Sequence, residues 1–83
     1  MEEPKLGKYR HYKGKFYEVI GIATHSETLE KMVVYKGLYE SEELGNEPIF
    51  VRPIGMFLEN VNVAGQEIPR FKYLGDDEYT YEE

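Results

Sequence analysis

An all-β (mainly β) fold is what this sequence predicts, of the small SH3-like five-stranded barrel type with a short 3₁₀ turn near residues 53–57 and an extra C-terminal edge strand. Three observations carry that expectation. The apolar segments are short, rich in β-branched and aromatic residues, and without a 3.6-residue period. Gly- and Pro-containing turns separate them at close spacing. The 83 residues, with 8 Tyr and 4 Phe, supply one core and not two.

Taken in order, Gly7–Tyr12 reads as a short aromatic strand, and Lys13-Gly14 as a tight turn, because glycine accepts positive φ without a steric penalty. Lys15–His25 is a long strand that Gly21 bends, and Leu29–Tyr39 returns beside it after a turn at residues 25–28. Residues 40–48, acidic and holding Gly45, Asn46 and Pro48, read as an exposed loop. Ile49–Arg52 is a brief strand stopped by Pro53, which has no N–H to donate. The 3₁₀ turn follows, then extended chain over Leu58–Val63, a turn at Ala64-Gly65, and Gln66–Tyr73 as an edge strand carrying Pro69. An OB-like barrel fits less well, since residues 40–48 are a poor match for its helix. The organisation expected is a flexible N-terminus (1–6), a single SH3-like domain (7–74) and an acidic, disordered tail (75–83).

Composition narrows the function classes. With no cysteine there is no disulfide, thiolate nucleophile or Cys-type zinc site, which points to a reducing, cytoplasmic setting. No apolar run approaches the roughly 18 residues of a membrane span, so no membrane partner is expected. The net charge of -6 is unevenly spread: Lys5–Lys36 holds seven basic residues against three glutamates, and Glu40–Glu83 three against eleven acidic ones. Long-range repulsion weakens nucleic-acid binding, but a local basic face still acts within a Debye length of about 8 Å.

The short tags Gly7-Lys8-Tyr9-Arg10-His11-Tyr12-Lys13-Gly14, Tyr17-Glu18-Val19, Ala23-Thr24-His25-Ser26-Glu27-Thr28, Val34-Tyr35, Val51-Arg52-Pro53, Met56-Phe57 and Pro69-Arg70-Phe71 occur in that order. Over residues 7–73 the chain thereby resembles a bacterial family known as domain of unknown function 1653. That resemblance implies a bacterial source and brings no reaction, ligand or catalytic residue with it. Gly37 departs from the family pattern, which favours alanine there.

Chemistry-bearing residues fall into a few groups. Lys8, Arg10, Lys13 and Lys15 alternate with Tyr9, His11, Tyr12, Phe16 and Tyr17, a composition that suits phosphate contacts and base stacking and that a hairpin with aromatics inside and cations outside also generates. His11 and His25 are the only imidazoles, too few for a zinc site, and a hairpin that sets strand one beside strand two offers a way to bring them to one end of a barrel. His25-Ser26-Glu27-Thr28 holds the side-chain types of a hydrolytic triad, but adjacent residues point apart, and turn chemistry accounts for them better. Arg52 suits bidentate capture of a carboxylate or phosphate, or an internal clamp on Glu18 or Glu59. Tyr35 and Tyr39 share a side of their strand, open to a groove with Tyr12 or to the core.

The expected function is a non-enzymatic binding module for a protein or peptide, with Arg10, His11, Tyr12, His25, Ser26, Glu27, Thr28, Tyr35 and Arg52 as the candidate ligand-binding set. The alternatives are nucleic-acid or nucleotide binding by the Lys8–Tyr17 hairpin, and a small enzyme acting on a phosphorylated or acidic metabolite through His11, His25 and Arg52. No catalytic residue, metal ligand or cofactor is assigned. The expected state is a monomer or weak homodimer, and the Gln66–Tyr73 edge would serve β-addition in an oligomer.

Overall fold

A computed structural model of the chain describes residues 3–75. Its elements, in chain order, are β1 (Gly7–His11), β2 (Phe16–Thr24), β3 (Lys31–Gly37), a short pair β4 (Glu40–Ser41) and β5 (Gly45–Asn46), then β6 (Ile49–Pro53), one helical turn α1 (Ile54–Phe57), β7 (Asn60–Val63), β8 (Gln66–Pro69) and β9 (Phe71–Tyr73). Five strands form one antiparallel sheet in the order β6-β3-β2-β1-β9. The fold is all-β, as expected, and no helix among the described residues is long and apolar enough to cross a membrane.

The sheet is open and does not close as a barrel: β6 and β9 are its two edges and do not pair with each other. The reason lies in the last strand. Gln66–Tyr73 was expected to run unbroken, but it divides at Arg70, behind Pro69, whose nitrogen cannot donate to a ladder. The first half turns back on β7 as a separate hairpin, and only three residues join the main sheet beside β1. A continuous Gln66–Tyr73 edge for self-association therefore does not exist.

Strand parity builds the core. Tyr9 on β1, Val19 on β2, Val33 and Tyr35 on β3 and Phe71 on β9 all point to one face, where Ile54 and Phe57 of α1 cover them. Phe57 stacks on Phe71 with ring centroids 4.2 Å apart, and Tyr9 meets Phe57 edge-on at 5.3 Å. Such aromatic pairs add roughly 0.5–1.5 kcal/mol each beyond the area they bury. Lys8, Arg10, Phe16, Glu18, Met32, Val34, Lys36, Ile49, Val51 and Lys72 take the opposite parity and form the outer face.

Local chemistry places the turns. Gly14 (φ +112°) closes the first, and Ala64 with Gly65, both at positive φ, make the two-residue turn between β7 and β8. Residues 53–57 hold a single α turn in place of the expected 3₁₀ turn, with Leu58 N–H donating to the Ile54 carbonyl at 3.0 Å. Within 40–48 the loop contains the β4–β5 pair, and Ser41 Oγ accepts the Leu44 N–H. In the segment expected as a flexible N-terminus, Pro4 is buried and the Lys5 carbonyl accepts the Tyr9 hydroxyl at 2.8 Å. Residues 76–83, nearly all of the expected tail, lie outside the described residues.

Candidate functional site

Arg52 sits on the inner face of β6, one register step from the buried Tyr35 on β3. Its Nε donates to the Tyr35 hydroxyl at 3.2 Å, and its guanidinium carbon lies 5.8 Å from the centre of the Phe71 ring. The two acids expected to clamp it are engaged elsewhere: Glu18 faces Lys8 at 4.0 Å, and Glu59 pairs with Arg70 at 3.5 Å. Half-buried Arg52 thus keeps two Nη groups without a protein acceptor among the described residues.

Around it lies a concavity of about 300 Å³. Tyr35 and Phe71 belong to the core beneath it, and His11, Tyr17, Tyr39, Leu44 and Phe50 complete the lining with Arg52. Among the described residues no carboxylate lines it. Two somewhat larger concavities, of about 390 and 330 Å³, each include Glu3. A cation among aromatic walls, with no acid of the described residues beside it, has the chemistry to hold an anionic group.

The walls hold one another in place. The Tyr17 ring stands edge-on to Tyr35, Tyr39 and Phe71 at 5.5–5.6 Å, and its hydroxyl lies 3.4 Å from that of Tyr39. Burial first, then the hydrogen bond with Tyr39, pushes the Tyr17 hydroxyl well above the ordinary tyrosine range, so it stays protonated. Lys15 Nζ sits over the Tyr39 ring at 4.5 Å. Gly37 makes room for that ring, because a Cβ there would collide with Tyr39. Glycine at this position therefore shapes the pocket wall.

His11 approaches from β1, edge-on to Phe71 at 4.9 Å and against Tyr12 at 4.7 Å. Its Nδ1 accepts the Lys13 N–H at 3.1 Å, which leaves Nε2 to carry the proton. Partial burial, followed by the nearby charges of Arg70, Arg52 and Lys13, lowers its pKa. All three charges are cations, so His11 lines the site as a neutral imidazole.

The structure divides the nine candidate residues. Arg52, Tyr35 and His11 come together, with Tyr12 stacked behind His11. Arg10 points to the outer face, opposite Phe16 and Lys72. His25, Ser26, Glu27 and Thr28 form the turn at the other end of β2, nine residues or about 30 Å of strand away. There His25 Nδ1 accepts the N–H groups of Glu27 and Thr28, and Thr28 Oγ1 accepts that of Glu30, so the segment caps its own turn. A shared site for the two histidines is ruled out by their placement, because successive hairpin turns lie at opposite ends of the strand between them.

Tyr17 and Tyr39, weighed in the sequence as groove or core residues, line the concavity, and Leu44, Phe50 and Phe71 join them although by residue type each resembles a core residue. One signal was present for Phe50: it stands two residues from Arg52, on the same strand face.

A family model described as protein of unknown function (DUF1653) matches residues 7–73. The crystal structure of a DUF1653 protein from Bordetella bronchiseptica is similar over 99% of both chains, at 36% identity and a TM-score of 0.82. No curated protein matches the chain.

Proposed function

The chain belongs to the DUF1653 family, whose description assigns no function, and from that premise we propose that it is a non-enzymatic binding module taking up an anionic group of a protein or peptide partner. Arg52 is the observation that carries this reading: a guanidinium bonded on one edge to Tyr35, in a concavity lined by rings and by no carboxylate of the described residues. A carboxylate seated on the free Nη edge would gain charge-assisted hydrogen bonds in a partly desolvated site, roughly 1.5–3 kcal/mol. The cysteine-free composition supports a reducing, cytoplasmic setting for this activity.

Nucleotide binding by the Lys8–Tyr17 hairpin draws less support. Tyr9 and Tyr17 turn inward, which leaves Lys8 and Arg10 with half-buried Phe16 on the outer face. The enzyme reading depended on His11 and His25 meeting, and β2 separates them.

The test is a ¹H–¹⁵N NMR titration with short peptides carrying one aspartate or its asparagine counterpart. Saturable shifts at Tyr35, Tyr39 and residues 50–52 are expected with aspartate only, weakened at least about tenfold by Arg52→Gln. Equal affinity for both peptides, or indifference to Arg52→Gln, would sink the proposal.

A further inference from the structure

β6 is an edge strand whose unused side can be specified. The Gly37 N–H donates to the Pro48 carbonyl at 2.8 Å, which sets the phase of the β3–β6 ladder. Antiparallel pairs alternate between bonded and non-bonded, so Tyr35 with Phe50 and Val33 with Arg52 are the next bonded pairs. Phe50 and Arg52 therefore spend their backbone groups on β3. The N–H and C=O groups of Ile49 and Val51 point the other way, toward the open edge where no strand of the described residues pairs with β6, and the two residues are 63% and 59% exposed.

The same two residues that turn their backbones inward, Phe50 and Arg52, line the pocket with their side chains. Edge and pocket thus meet along one strand. From this we infer that the partner binds as an extended peptide that adds an antiparallel strand to β6, with an acidic residue opposite Arg52 and an aromatic one opposite Phe50. The inference rests on the anion-binding reading above and adds the shape of the ligand to it.

The geometry fixes a pattern. A peptide residue bonded to Val51 exchanges both backbone hydrogen bonds with it and turns its side chain to the outer face. Its two neighbours turn theirs to the pocket face, with Cβ atoms about 4.5–5.5 Å from those of Arg52 and Phe50. Read from its N-terminus in the antiparallel sense, the segment is acidic, then apolar, then aromatic. Pro53 shares the outward phase of Val51 and has no N–H, so the paired stretch ends there and spans four peptide residues, opposite Ile49 to Arg52.

The probe is the acetylated, amidated peptide Thr-Asp-Val-Tyr-Thr. Its controls are the order-reversed Thr-Tyr-Val-Asp-Thr, the Asn-for-Asp peptide, and the original peptide N-methylated at valine so that it cannot donate to the Val51 carbonyl. The direct peptide is expected to bind at least about tenfold more tightly than each control, and its binding to slow amide exchange at Ile49 and Val51. The protein variant Val51→Pro, which removes an N–H facing the open edge and leaves the β3 ladder intact, should weaken binding to a similar degree. If N-methylation and reversal make no difference while the Asn peptide and Arg52→Gln still lose affinity, strand addition is wrong and the anion site stands. If none of these changes matters, both fail. Should Val51→Pro not fold, the N-methylated peptide decides alone.

Discussion

The two turns that flank β2 use the same device in different surroundings. In each, a histidine accepts backbone N–H groups through Nδ1: His11 from Lys13, His25 from Glu27 and Thr28. The first turn is tied to the rest of the molecule. The His11 ring packs on Phe71, and the Tyr12 N–H donates to the Arg70 carbonyl. The second extends beyond the sheet, with residues 23–31 all exposed. A local motif closes a chain reversal in both, and only tertiary surroundings turn one of them into the wall of a site.

Truncating both histidines breaks the comparison open most forcefully. His11→Ala removes a turn acceptor together with ring contacts to Phe71 and Tyr12, a loss of about 2–3 kcal/mol expected in urea unfolding. His25→Ala removes only exposed turn bonds and should cost about 1 kcal/mol or less, leaving the pocket resonances in place. Equal losses would mean that the tertiary contacts of His11 carry no energy.

A smaller effect separates the ring from its charge. The native state lowers the pKa of His11 through burial and neighbouring cations, so it favours the neutral form more than the unfolded chain does. That preference contributes stability above the unfolded imidazole value near 6.5, and the contribution is lost as pH falls through that value toward the lower native one. His11→Asn keeps a side-chain acceptor for the Lys13 N–H and does not titrate. The thermal midpoint of the Asn variant should therefore decline less than that of the parent between pH 8 and 5, and parallel curves would exclude the linkage.

The smallest effect lies in the second turn. Leu29 occupies the left-handed region at φ 65°, where its Cβ is strained, and its side chain is exposed. Leu29→Gly should raise stability by roughly 0.5 kcal/mol, the relief of strain less the entropy of glycine. A fall in the urea midpoint would show that Leu29 makes a contribution its exposure conceals.

What the sequence disclosed follows the range of the interactions involved. Turns at Lys13-Gly14, residues 25–28 and Ala64-Gly65 were legible because positive-φ and side-chain capping chemistry is local. The division of Gln66–Tyr73 was not, since the choice of partner for each half depends on β7 and β1, far along the chain. Arg52, Tyr35 and His11 stood out by residue type, while Phe50 and Phe71 read as core because they serve as core and wall at once. Whether His11 and His25 share a site was open in the sequence and is settled by topology alone: a strand shared by two hairpins has a turn at each end.

The floor of the pocket is also the floor of the fold. Tyr35 and Phe71 are buried in the core, and Phe71 borders the concavity of about 330 Å³ on its other side as well. Selection for a different ligand therefore has little freedom beneath the site, where a change in ring size disturbs the packing on Phe57. Divergence is channelled to the rim, to Tyr39 and its enabling Gly37, to exposed Leu44, and to the outward residues of β6. On the proposed function, a change of ligand would come through these rim positions, at least cost to folding where the side chain is exposed, as at Leu44.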